Sequence, residues 1–166
     1  GVINPTMGDY IVRGIKEAER DRAILIIQMD TPGGMDGPMR KIIQKMMQAE
    51  IPVITFVYPQ GSRAASAGVF ICYAANISAM THGTSIGAAH PIFMSPLGGT
   101  QGKEQEKILL DKATNDMVAY IRSIAKKRGR NPEWAEMAVR KSVSLSAHVA
   151  LKENVIDLMA DDIPQL

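Results

Sequence analysis

The chain has 166 residues, 46% of them apolar and 22% charged, with 19 basic against 17 acidic side chains. That suffices for one domain with a sizeable core, and the near-balance of charge argues against a dedicated nucleic-acid surface. The single cysteine, Cys72, excludes an intramolecular disulfide and a cysteine metal cluster; the histidines at 82, 90 and 148 show no ligand spacing, so neither metal nor cofactor is expected.

In chain order, a helical pattern covers residues 10–21, and "AILIIQMD" (23–30) follows as a near-continuous aliphatic run. Such a run predicts a strand buried on both faces. It ends in "TPGG", and a helix is predicted over 36–49. "IPVITFVYP" (51–59) is a second strand, and "GSRAASAG" (61–68) leads into a helix at 64–75. That helix contains "VFICYAA", an apolar setting that makes Cys72 a buried, inert thiol. "NISAM" (76–80) is a weaker strand, and "SPLGGTQGK" (95–103) reads as a mobile glycine-rich loop. A long helix spans 104–128 and ends in "KKRGR", a solvated basic end. Asn131 before Pro132 is the signature of a capped helix over 132–141. A short helix at 146–153 delivers a last strand, "VIDLMA" (155–160). No apolar run approaches the roughly 20 residues that span a bilayer. The chain opens at "GVINP" without methionine and reads as a single domain, 1–166, excised from a longer protein.

Strands alternating with helices imply an α/β domain with a largely parallel sheet flanked by helices. Ligands then gather beyond the carboxyl ends of strands, where "DTPGG", "GSRAASAG" and "THGTSIGAAHP" fall. Ser66 stands where a helix should begin, beside backbone N–H groups able to stabilise an oxyanion. On the string alone, Ser62 or Ser66 could equally cap or pack that helix. "PGG" is as ambiguous, a plain turn or a backbone that lets an N–H approach a substrate carbonyl. A serine nucleophile needs a base. The histidines flank glycine-rich turns or sit on a late surface helix, whereas a desolvated lysine can serve. On the long helix Leu109, Ala113, Met117, Tyr120 and Ile124 form the expected buried stripe. Lys112 borders that stripe and Lys107 lies further round, which favours Lys112, although either could be an ordinary surface lysine.

These motifs, with "DKATNDMVAYIRSIAKKRGRN", stand in the order found in the ClpP-class serine peptidases, and the chain most resembles the membrane-bound NfeD family. The resemblance implies a ClpP/crotonase-like fold and a Ser–Lys dyad. Ser66 would be the nucleophile, Lys112 the general base, and the N–H groups of Gly34 and Ala67 the oxyanion hole. Gly33, Met35, Val69, Phe70, Ile86 and Gly87, with Ile92, Phe93 and Met94, would meet the substrate, and apolar walls with few fixed charges favour apolar peptides. The resemblance further implies a stomatin-like membrane protein as substrate and a homodimer or higher homo-oligomer. The full-length protein would be membrane-associated, its catalytic part outside the cytoplasm. Two other readings keep the fold: a crotonase-like enzyme acting on acyl-CoA thioesters, and a non-catalytic scaffold for membrane proteins.

Overall fold

The two aliphatic runs of the first third become adjacent parallel strands, and the rest of the chain is arranged around them. The structure, a computed structural model, describes residues 1–92 and 102–166. Strand β1 (Leu25–Met29) pairs with β2 (Val53–Val57) from Leu25↔Val53 to Met29↔Val57. Next come β4 (Ile77–Met80) and the short β7 (Leu158–Met159), completing a parallel sheet in the order β1-β2-β4-β7. All of β2 is buried, as a central strand should be. β1 departs from expectation: it is an edge strand, with Leu25, Ile26 and Ile27 half-buried and Gln28 exposed. Both of its faces meet apolar residues, Leu25 and Ile27 on one side and Ile26 on the other, but it pairs with a neighbour along one edge only.

A second, smaller sheet joins β3 (Arg63–Ala65), β5 (Ser85–Gly87) and β6 (Ser144–Ser146); β3 and β5 run parallel, β5 and β6 antiparallel. β3 takes residues that the sequence reading gives to a helix, because three residues are too few to show a two-residue period. Thr31 hands the chain from one sheet to the other. Its N–H donates to the Arg63 carbonyl at 2.8 Å, and its carbonyl accepts from Ala65 N–H at 3.0 Å. This exchange is what sets "TPGG" beside "GSRAASAG".

Helix α1 (Pro5–Asp21) is capped by the Asn4 side chain, which accepts from Met7 N–H at 2.9 Å, and buries Gly8, Ile11, Ile15 and Ala18 at helical spacing. α2 (Asp36–Gln48) buries Met39, Ile42, Ile43 and Met46. α3 (Ala67–Ala74) is buried along its whole length and forms the centre of the core. Its C-terminal carbonyls are met by cations: Arg128 Nε donates to Ala74 O at 2.8 Å, and the buried Arg130 donates to Tyr73 O and Ala75 O at 2.9 Å. Arg130 is in turn paired with Asp157. The N-terminal end of the same helix points at the site.

α4 (Gly102–Arg128) buries Thr114, Val118, Ile121, Ile124 and Ala125 against α3 and against α5 (Pro132–Lys141). The expected stripe is thus corrected at Leu109, which is 58% exposed. Periodicity marks a face, but burial needs an element opposite it; at that turn it is the half-buried Leu110, not Leu109, that faces Pro91 and Ile92. Asn131 caps α5 as expected, its Oδ1 accepting from Trp134 N–H at 2.9 Å. α6 (Ala147–Lys152) leads back to β7. Residues 95–101 of the predicted loop lie outside the described residues, while Gly102 and Lys103 already belong to α4. No described helix is long and apolar enough to cross a membrane.

Candidate active site

Thr31, buried behind β1, shapes the first wall. Its Oγ1 accepts from Gly33 N–H at 3.0 Å and donates to Gly33 O at 3.2 Å, folding the "TPGG" turn back on itself. Gly33 has φ +111°, and a Cβ there would lie 2.4 Å from Ser66 Cβ. Only glycine lets this backbone reach the serine. The N-terminal segment holds the loop from outside: Ile3 N–H donates to Gly33 O, and Met35 N–H donates to Ile3 O, both at 2.8 Å. Those bonds flank Gly34, an exposed residue, and leave its own N–H without an acceptor among the described residues.

Ser66 follows β3 and precedes α3, with φ +54° and ψ −117°. For a non-glycine residue this conformation costs on the order of 1–3 kcal/mol, which the surroundings must offset. Ser66 N–H donates to Gly87 O at 3.1 Å, and Ser66 O accepts from Val69 N–H at 3.0 Å. The side chain makes no capping bond to α3, and its hydroxyl, at a helix N-terminus, has no hydrogen-bond partner among the described residues. Ala67 N–H, beside it, also has no acceptor among the described residues.

Ser66 and Ala67 open into a cavity of about 540 Å³. Gly34 and Met35 form one side of it; Asp36, Met39 and Arg40 of α2 form the next. Ala89, Pro91 and Ile92 follow β5, and Ala113, Asp116 and Met117 of α4 close the far side. Lys112 is exposed and adjoins the lining residue Ala113; Lys107 is exposed and further from the lining. None of the histidines lines this cavity. His82 pairs with Asp161 at 3.7 Å on the surface, and His90 Nδ1 lies 2.9 Å from Val139 O. Among the described residues no cluster could hold a metal ion.

Three sequence expectations change here. Val69, Phe70 and Ile86 have at most 1% of their surface exposed, so they belong to the core and cannot touch a substrate. Gly33 and Gly87 are buried backbone supports, whereas Met35 and Ile92 are 56% and 87% exposed. Phe93 and Met94 lie outside the described residues. The third change is charge. Arg40 Nε donates to both oxygens of Asp36, at 3.0 and 2.9 Å, while its Nη2 reaches Asp116 and its Cζ lies over the Tyr120 ring, 4.4 Å from the centroid. Burial works against the Arg40 charge, but Asp36 and Asp116 outweigh it and hold the guanidinium above its ordinary value. The Asp36–Arg40 spacing of four was a readable signal; the link to Asp116, across 76 positions, had none.

The family model described as "NfeD1b, N-terminal domain" matches residues 2–166. The chain belongs to that family. Among relatives, this NfeD1b-type domain is 42% identical over 167 residues to the membrane-bound protease PH1510 of Pyrococcus horikoshii, covering 100% of this chain and 37% of the relative. It is 26% identical over 156 residues to the membrane protein NfeD1b of Bacillus subtilis, covering 93% of this chain and 33% of that protein. The domain therefore spans about a third of the length of either curated relative. Among solved structures it is similar to a serine-to-alanine variant of the 1510-N membrane-bound stomatin-specific protease, with TM-score 0.88, 40% identity, and coverage of 99% of this chain and 77% of that one. A lysine-to-alanine variant in complex with a substrate peptide gives TM-score 0.85 and 40% identity, covering 99% and 74%. The ClpP-type α/β architecture expected from the sequence is the one these structures share with this domain.

Proposed function

We propose that this domain is the catalytic part of a serine endopeptidase that works through an acyl-enzyme. Ser66 Oγ attacks the scissile carbonyl, and Lys112 accepts its proton and passes it to the departing amine. Water then repeats the sequence in reverse. The developing oxyanion lies between the N–H groups of Gly34 and Ala67, each such donor being worth roughly a hundredfold to a thousandfold in rate. One observation carries the reading: a serine at φ +54°, its hydroxyl unspent on its own helix, opens into a cavity beside two backbone N–H groups that have no acceptor among the described residues. The protease relatives and the peptide-bound lysine variant point the same way.

The substrate is a peptide segment, apolar next to the cut, since Met35, Pro91, Ile92 and Met117 offer apolar surface to the cavity. In the whole protein the natural substrate is a stomatin-like membrane protein, by analogy with the stomatin-specific relative. The domain works as a homodimer or higher homo-oligomer, attached to a membrane through the rest of its chain, with the site outside the cytoplasm. A fluorophosphonate probe followed by peptide mass mapping tests the chemistry. A single adduct on Ser66, absent from Ser66→Ala, is expected; an adduct elsewhere, or none, overturns the assignment.

A further inference from the structure

The Arg40 cluster joins two walls of the cavity that nothing in the sequence connects. α2 begins at Asp36, two residues after Gly34, so its first turns continue the loop that presents the Gly34 N–H. Arg40 sits one turn in, with Asp36 fixing its Nε from both carboxylate oxygens. The free edge of the guanidinium then meets α4 three times: at Asp116, at Met117 Sδ (3.8 Å), and over the Tyr120 ring. Tyr120 also stacks on Phe70 of α3, with ring centroids 6.2 Å apart.

Lys112 lies four residues before Asp116, on the same helix face one turn away. Upstream of Ala113, the residues Lys107, Ile108, Leu109 and Asp111 are exposed, and only Glu106 and Leu110 are half-buried, facing His90, Pro91 and Ile92 across an open pocket, so that part of α4 is loosely held. The charged groups around the turn are Asp36 and Arg40 from α2, and Asp111 and Asp116 from α4 itself. α3 carries none, and Glu133 and Glu136 of α5 are engaged by Arg122 further along. We propose that Arg40 is a positioning residue: its guanidinium, oriented by Asp36, locks the α4 turn bearing Lys112 to the α2 turn that follows the oxyanion loop. This rests on the Ser66–Lys112 reading above. Only a planar fork can serve two carboxylates and lie over a ring at once; an ammonium cannot.

The test uses this domain with a reporter peptide, the fluorophosphonate probe and thermal melting. The variants are Arg40→Ala, Arg40→Lys and Asp116→Asn, each also made in a Lys112→Ala background. Displacing the lysine turn should lower kcat roughly tenfold to a hundredfold. KM should stay within about threefold, since the loss falls on the transition state rather than on uniform binding. Arg40→Lys should behave like Arg40→Ala. In the Lys112→Ala background the same change should alter the Ser66 labelling rate less than about twofold, because its route of action is already gone. A purely structural Arg40 would lower the melting temperature and slow labelling equally in both backgrounds, which overturns the proposal. Wild-type kcat in Arg40→Ala also overturns it, and leaves the dyad standing if Lys112→Ala is inactive. If Lys112→Ala itself labels and cleaves as wild type, the dyad reading falls and the clamp falls with it. Should Arg40→Ala not fold, Asp116→Asn carries the same comparison, its side chain being 66% exposed.

Discussion

Replacing Gly33 by alanine tests whether the close approach of the "TPGG" loop to Ser66 is what assembles the site. The new Cβ would lie 2.4 Å from Ser66 Cβ, 2.9 Å from Ser66 Oγ and 3.2 Å from Ala65 O, where ordinary contact begins at 3.4 Å. The nearest atom is the first carbon of a side chain fixed to a held backbone, so it cannot swing aside. The loop and the serine must part by about 1 Å, a misplacement that can cost about a hundredfold in rate. Alanine at φ +111° adds backbone strain on the order of 1–3 kcal/mol. At roughly 2–4 °C per kcal/mol for a chain of this size, the melting temperature should drop by roughly 2–12 °C. Gly37→Ala is the matched control: nothing lies within 4 Å of its Cβ, and it sits in the first turn of α2. That variant should melt at or slightly above wild type, with unchanged kcat/KM. Peptide cleavage and fluorophosphonate labelling, measured beside melting curves, decide the matter. If Gly33→Ala cleaves and labels at the wild-type rate, Gly33 does not hold the serine in place, and the geometric basis of the site is wrong.

Lys112→Ala should lose activity by several orders of magnitude, as expected for one member of a catalytic unit, with Lys107→Ala close to wild type; the opposite ranking in a peptide-cleavage assay would move the base to Lys107. Burial pushes the Cys72 thiol from 9.0 up to about 11. The native state therefore keeps a proton that the unfolded chain releases, and stability should fall as pH rises from about 9 towards 11, by up to about 3 kcal/mol. Urea unfolding at pH 8 and pH 10.5 should show a smaller alkaline loss for Cys72→Ala than for wild type; parallel losses would show that the thiol is not the cause. Arg130→Ala takes the cation from Asp157, which keeps only Ser78 N–H, and the donor from the Tyr73 and Ala75 carbonyls, and should cost about 3 kcal/mol, or roughly 6–12 °C of melting temperature. A melting temperature within about 2 °C of wild type would mean that water replaces the guanidinium at no cost.

Much of the architecture was legible because it is written in long periodic segments. α2, α5 and β2 announce themselves by spacing, by the Asn131–Pro132 cap and by an unbroken aliphatic run. The second sheet was not legible, since β3, β5 and β6 have three residues each and owe their strand character to backbone pairing with distant segments. β1 reads as a central strand from composition, yet whether a strand is central depends on how many neighbours pair with it.

The site divides along the same line. Ser66 and the glycines of "TPGG" were visible because close backbone approach demands small residues, and sequence records small residues directly. Their apolar surroundings were misassigned because hydrophobicity does not distinguish a core wall from a pocket wall. Val69 and Phe70 belong to a helix buried on every side, whereas the accessible lining comes from Met35, Ile92 and Met117, on segments that reach the opening. The charges are illegible in the sequence for a different reason. Asp36 and Arg40 look like an ordinary surface pair at helical spacing, which is worth a few tenths of a kcal/mol on an isolated helix. That weight changes once α4 brings Asp116 and Tyr120 to the other edge of the same guanidinium. The pair then carries a tertiary contact between the loop that offers the oxyanion donor and the helix that offers the base. A local motif that is weak on one element becomes decisive when the fold gives its unused edge a second partner.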